Sequence, residues 1–265
     1  NRYFITRFLA YQLFFSKSGI KTITAIDENS PSTRCILDAA RSQGAKTIGI
    51  QHGNIGNAQP AYLYTLTDRE QKIMADYTLV WGSGWKDFLI REGNYPEDSL
   101  IVTGQLRTDT IPQLLKTPPA VPGITTLDVP VALFASQPIP DAVMRHRAAH
   151  DVFSAFSKLK GIELHVKLHP AEKNDADYYR GIAEEAGCKS FHIVHDVDLY
   201  DYLAVSRLVI TCYSTVGTEA VYFGKPLIIL DHNRDDLLGH HASGVAWQAT
   251  DAESLFKMVE GILSG

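Results

Sequence analysis

The sequence predicts an α/β chain built as two parallel-sheet domains. From residue 20 onward, short β-rich runs alternate with amphipathic helical stretches, the pattern of parallel sheets covered on both faces. Thr117-Pro118-Pro119-Ala120-Val121-Pro122-Gly123 is too rich in Pro and Gly to continue any element, and it divides the series in two. Several apolar runs also empty into polar turns, the edge at which an open α/β sheet binds its ligands.

In chain order, the aromatic-rich opening (Tyr3, Phe4, Phe8, Tyr11, Phe14, Phe15) reads as a helix near 2–16, and Thr22 to Ile26 as a strand near 22–27. Ser30-Pro31-Ser32 then opens a helix near 31–43, with Asn29 or Ser30 as its cap and Pro31 in its first turn. Strands follow near 46–51, 77–81 and 99–103, with helices near 68–75 and 84–92. After the Pro-rich break, strands are expected near 130–135, 162–168, 190–194, 207–212 and 226–230. Helices are expected near 141–159, 175–186, 198–204, 215–223 and 251–263. The resulting organisation is a first domain at 1–116, a linker at 117–128 and a second domain at 129–265, with a cleft expected between the carboxyl edges of the two sheets.

Composition narrows the function. The 265 residues are 45% hydrophobic with a net charge of −5, a soluble globular balance that excludes a protein devoted to coating nucleic acid. Cys35, Cys188 and Cys212 are odd in number and lack close spacing, so neither a disulfide framework nor a Cys-rich zinc site is expected, and the chemistry points to the cytoplasm. No apolar run approaches the ~20 residues of a membrane span, which leaves a soluble protein or one peripheral at the inner face of the membrane. The chain opens at Asn1 in place of Met, so the expectation is that the parent began earlier and that part of the first domain is missing.

Five segments could carry chemistry. Gln51-His52-Gly53 places His52 at the end of a buried strand, and Gly53 leaves room for a ligand to approach backbone. Its imidazole can take a proton from an attacking hydroxyl. Asp27 and Glu28, just past the first strand, are the second candidates for that base. Arg107 and Asp109, past another strand, suit a phosphate and a hydroxyl, or else a contact that fixes the loop. In the second domain, alternation puts His165, Lys167 and His169 on one face; His165 reads as a core residue, whereas Lys167 and His169, stopped by Pro170, suit a phosphate. Tyr213-Ser214-Thr215 supplies hydroxyls at a helix start, with Glu219 one turn beyond to hold a ribose diol, although such a pair is ordinarily just an N-cap. Asp231 to Asp236 and His240-His241 have metal-like composition without metal-ligand spacing, and read as a polar loop beside the cleft. No Gly-x-x-x-x-Gly-Lys-Ser/Thr, Gly-x-Ser-x-Gly or Gly-x-Gly-x-x-Gly segment occurs.

Taken together, the His-Gly turn, Val102-Thr103-Gly104 leading to Arg107 and Asp109, Lys167-Leu168-His169-Pro170, and Tyr213-Ser214-Thr215 before a helix resemble the two-domain GT-B glycosyltransferase superfamily. Within it they look most like the CDP-glycerol glycerophosphotransferase and capsule-polysaccharide transferase group. The resemblance implies two Rossmann-like αβα domains facing across a cleft, 1–116 on the acceptor side and 129–265 binding the nucleotide donor, with His52 in the position of the proposed base and His169-Pro170 at the donor pyrophosphate. Asn54-Ile55 replaces the Thr-Pro that follows His-Gly in teichoic-acid polymerases. The Gln-His-Gly and Ser-Thr-x-Gly-Thr-Glu-Ala forms look closer to transferases that use CMP-activated Kdo or sialic acid. The resemblance further implies transfer without metal or cofactor, from a nucleotide-activated donor to a glycan or glycolipid acceptor. A UDP-sugar 2-epimerase shares the architecture but lacks a counterpart here for its His-Val-Glu-Ala-Gly segment. A non-catalytic sugar-nucleotide-binding domain is the third reading.

Overall fold

A computed structural model describes residues 2–56, 60–121, 124 and 129–265, which form two compact units, 1–108 and 109–265. The first holds a parallel sheet in the order β1 (Thr22–Ile26), β2 (Lys46–Ile50), β3 (Tyr77–Val80) and β4 (Leu100–Val102). Helix α1 (Arg2–Ser18) lays Phe8, Tyr11 and the buried Phe15 against Ala39 and Ala40 of α2 (Pro31–Ser42). Small residues on α2 allow this close helix pairing. Helix α2 starts where the sequence indicates, because Ser30 accepts a hydrogen bond from the Thr33 N–H and Pro31 needs no partner in the first turn.

Helix α3 is shorter and earlier than the expected 68–75. It covers Leu66–Glu70, opened by a capping box between Thr65 and Asp68, and the chain leaves helical geometry at Lys72, whose φ is +53°. Helix α4 (Ser83–Arg91) follows β3 and closes a cluster of Tyr62, Val80, Leu89, Tyr95 and Leu100.

The second unit contains α5 (Ile111–Lys116), β5 (Val131–Ala135), α6 (Ala142–Phe156), β6 (Glu163–Lys167), α7 (Ala176–Glu185), β7 (Phe191–Val194), α8 (Leu199–Val205), β8 (Leu208–Thr211), α9 (Thr215–Tyr222), β9 (Leu227–Leu230), β10 (Trp247–Ala249) and α10 (Ala252–Ser264). Its six parallel strands run in the order β10-β9-β8-β5-β6-β7. Strands β5, β8 and β9 are buried throughout. Alternate residues serve opposite faces: Ala132, Phe134, Leu164, Val166 and Ile210 pack under α6, α7 and α10, while Leu133, Val209, Leu227 and Ile229 pack under α8 and α9. Each such Leu or Ile contributes about 1.5–3 kcal/mol of burial.

Two elements went unforeseen. Strand β10 is only three residues and begins with an exposed Trp247. Helix α5 precedes the Pro-rich stretch, and its Ile111 joins the core of the second unit together with Val121, a residue assigned above to the linker. The units therefore divide ahead of 117–128, of which 122, 123 and 125–128 lie outside the described residues. Among the described residues no helix is long and apolar enough to cross a membrane.

Candidate functional site

Strand order in the second unit reverses at β5: the chain proceeds to β6 and β7 on one side and to β8, β9 and β10 on the other. A crevice at the carboxyl ends of strands beside such a reversal is where doubly wound sheets take ligands. Two residues just past β5 bind the neighbouring turns together. Ser136, buried, accepts the His169 N–H at 3.0 Å. Gln137 Oε1 accepts the N–H groups of Cys212 (3.2 Å) and Tyr213 (2.8 Å). The turns that carry His169 and Ser214 are thereby fixed to one central strand.

The His169 turn is anchored from below. Glu172, about 1% exposed, accepts from Ser136 at 2.6 Å and from Tyr179 at 2.9 Å, and lies 2.7 Å from the Arg145 guanidinium. Arg145 also binds Asp175 and stacks over Tyr178 at 4.6 Å. The imidazole of His169 is exposed, and its Nδ1 accepts the Ala171 N–H at 3.1 Å. With Nδ1 accepting, Nε2 is the nitrogen that carries the proton and can donate. Pro170 opens the short 3-10 turn Pro170–Glu172. Lys167 is the half-buried last residue of β6.

Ser214 caps α9, its Oγ accepting the Val216 N–H at 3.2 Å, and Thr215 is the first helical residue. Ser214 is thus an ordinary N-cap, and the Gly217 N–H bonds its carbonyl at 3.0 Å, so the free N–H groups at this helix start are those of the cap and of Thr215. Glu219, expected to hold a ribose diol, is largely enclosed on α9, about 9% exposed. His240, expected in a polar loop, is also buried; its Nε2 lies 2.9 Å from Thr218 Oγ1, and a Cβ on Gly217 would come within 3.1 Å of its ring. A cavity of about 310 Å³ adjoins this edge, lined by Ile139, Asp141, Met144, Tyr213, Asp231 and His232 among others. The last of these is pinned by Asp151 at 2.8 Å.

In the first unit, Gln51 shapes the turn after β2. Its Nε2 donates to the Gly53 carbonyl (2.9 Å), its Oε1 accepts the Trp81 N–H (2.8 Å), and Trp81 Nε1 returns a bond to the Gln51 carbonyl (3.1 Å). His52 is exposed, with Nδ1 3.1 Å from the hydroxyl of the buried Tyr62. When Nδ1–H donates to Tyr62, Nε2 keeps its lone pair for an incoming proton.

The Asp27–Glu28 pair separates. Asp27 is half-buried in a left-handed conformation, φ +58°. Glu28 is about 1% exposed, accepting from Thr78 at 3.0 Å and Tyr95 at 3.5 Å, with Oε2 unpartnered among the described residues. Glu28 is therefore corrected from candidate base to core residue. Burial pushes its pKa up to about 7. Gly49 makes its position possible, since a Cβ there would fall 0.9 Å from Glu28 Oε2. Arg107 and Asp109 are exposed on the 3-10 turn Leu106–Thr110, at the point where the chain passes from one unit to the other.

Sequence reasoning missed Arg145, Glu172, Tyr62 and Tyr179. Glu172, three residues after His169, matches the spacing of a capping acid and was open to notice. Arg145 on α6 carried no local signal.

The family described as capsule polysaccharide biosynthesis protein matches residues 142–250, the stretch that contains Lys167, His169, Pro170, Ser214, Thr215 and Glu219. No curated protein matches the sequence. Among solved structures, a Listeria monocytogenes protein assigned as a UDP-N-acetylglucosamine 2-epimerase is similar at 17% identity and TM-score 0.74, over 99% of this chain and 71% of that one. The Neisseria meningitidis UDP-GlcNAc 2-epimerase bound to UDP-GlcNAc is similar at 13% identity and TM-score 0.68, over 98% and 73%. A glycosyltransferase of Rickettsia africae reaches TM-score 0.58 at 13% identity, over 98% and 71%. The chain has the GT-B-like fold, with a Rossmann-like αβα arrangement in each unit.

Proposed function

We propose that this protein is a glycosyltransferase that moves a sugar or polyol phosphate from a nucleotide-activated donor, CMP- or CDP-linked, to a surface-polysaccharide or glycoconjugate acceptor in the cytoplasm or at the inner face of the membrane. The observation that carries the reading is the tie from Ser136 and Gln137 to the turns of His169 and Ser214, which builds an anion-accepting edge at the strand-order reversal. The capsule-biosynthesis match, over residues 142–250, covers the His169 and Ser214 turns and supports it.

In this reading His169 Nε2–H and the free N–H groups at the start of α9 stabilise the phosphate as it departs, with Lys167 adding positive charge and Thr215 a hydroxyl. The cavity beside Tyr213 takes the nucleoside, because the Asp141 and Asp231 carboxylates on its wall repel phosphate but accept from hydroxyl or amino groups. His52 removes the acceptor proton, and Tyr62 orients its ring. Metal is not required for that chemistry, since the charge on the leaving group is met by protein donors.

His52→Ala tests the assignment. Donor affinity should stay within about twofold of native, while transfer falls by about 10²–10⁴-fold, the usual worth of a positioned base. Native rates in the variant would remove His52 from the mechanism.

A 2-epimerase is the second reading, favoured by the likeness to the Neisseria enzyme crystallised with UDP-GlcNAc. Incubation with UDP-GlcNAc and no acceptor separates the two: an epimerised product would replace the transferase reading. A thermal-shift panel of CMP, CDP, UDP and GDP identifies the base, since a ligand that binds only the folded state raises its melting temperature.

A further inference from the structure

On the face of the second sheet that α8 covers, β6 and β7 bring three metal-ligating side chains together. Glu163 and His165 lie two residues apart on β6 and so share a face, and His192 stands beside His165 in the parallel register with β7. One carboxylate oxygen and one nitrogen from each ring all fall within 4.8 Å of one another. The two imidazole centroids are 4.7 Å apart.

His165 makes this more than a crowd of polar groups. It has no exposed surface, and among the described residues neither ring nitrogen has a hydrogen-bond partner. Its ring sits between those of His192 and Tyr202, with the Glu163 carboxylate 3.5 Å from Nε2. A buried polar group left unpaired costs about 1–3 kcal/mol, so a ligand for those nitrogens would recover what the fold forfeits. Glu163 is half-buried and His192 exposed, which gives an ion a route in from solvent.

We propose that Glu163, His165 and His192 bind a divalent transition metal, with zinc the best match. Two imidazoles and one carboxylate form a donor set suited to zinc, with water as the fourth ligand, whereas calcium and magnesium prefer all-oxygen shells. The site lies toward the start of β6, away from the His169 turn at its end, and takes no part in the transfer proposed above. Strand β7 is four residues long and the last in the sheet, paired only with β6. A metal held by both strands would clamp that edge. The proposal does not depend on the transferase reading.

Zinc titration of the metal-free full chain against a chromophoric chelator tests it, with the visible bands of substituted cobalt reporting four-coordination. About one equivalent is expected to bind and to raise the melting temperature. His192→Ala and Glu163→Gln, both at accessible positions and checked for native circular dichroism, should each weaken binding at least ~10-fold. Loss of an outer-shell partner alone costs 10–100-fold, and loss of a ligand no less. His146→Ala, at an exposed histidine paired with Glu185 on other helices, should bind as the native chain does. No zinc bound by the native chain, or equal affinity in the native chain and either ligand variant, overturns the site.

Discussion

Glu28 in the first unit and Glu172 in the second are equally buried, each about 1% exposed, and each lies behind a turn that carries a candidate histidine. Their partners differ. Among the described residues Glu28 has two hydroxyl donors, Thr78 and Tyr95, and an unpartnered oxygen. Glu172 has Ser136, Tyr179 and the Arg145 guanidinium at 2.7 Å. A guanidinium can compensate the desolvation of a carboxylate, whereas hydroxyls do so only in part, so the proton is retained instead. Glu172 can thus serve as a fixed anchor for the His169 turn, while Glu28 makes the first unit sensitive to pH near neutrality.

The largest test of this contrast removes the cation. Arg145→Ala should destabilise the protein by about 3 kcal/mol, the low end of the range for breaking a buried pair, because Arg145 retains some exposure. Urea denaturation measures it, and adding Glu172→Gln should restore part of the loss. A neutral Arg145→Ala would dissolve the comparison.

Glu28→Gln sharpens the other half. With the pKa raised from 4.5 to about 7 in the folded state, both states are protonated below 4.5 and Glu28 imposes no ionisation penalty. As pH rises from 4.5 to about 7 the unfolded chain ionises first, so stability falls, by about 3 kcal/mol at the end of the window. The Gln variant should lose most of that slope, becoming more stable than native at pH 8 by up to ~3 kcal/mol while matching it near pH 4. Parallel stability profiles for the two proteins from pH 4 to 8 would refute the assignment.

The smallest effect asks whether the rigid anchor serves binding. His169→Ala should leave the fold intact and weaken nucleotide affinity about 10–150-fold, the worth of one charge-assisted hydrogen bond of about 1.5–3 kcal/mol. Calorimetric titration with the nucleotide that gives the largest thermal shift provides the number. Unchanged affinity would separate the turn from the phosphate.

Legibility followed the range of the interactions. Strand positions were readable because burial on both faces demands continuous apolar runs, as in Leu208–Thr211 and Leu227–Leu230. The His169 and Ser214 turns were readable because strand ends and helix starts have local chemistry, Pro170 in one case and a hydroxyl cap in the other. Helix α3 and strand β10 were misjudged or missed because their short spans carry too little periodicity. Asp27 and Glu28 looked alike as neighbours in sequence. Only packing distinguishes a half-buried turn residue from a carboxyl buried against Gly49.

By itself the sequence determined the alternating α/β plan, the parallel sheets and the strand ends at which chemistry is to be sought, since these depend on hydrophobic period and turn residues within a few positions of each other. Tertiary structure decided which polar groups meet: Arg145 with Glu172, Gln137 with the turn after β8, Tyr62 with His52, and Glu163 and His165 with His192. Those partners lie on different elements, and no local pattern records which strands adjoin once a sheet reverses its order. The protonation of a buried carboxyl is decided at the same level, because it depends on whether a cation from elsewhere in the chain reaches it.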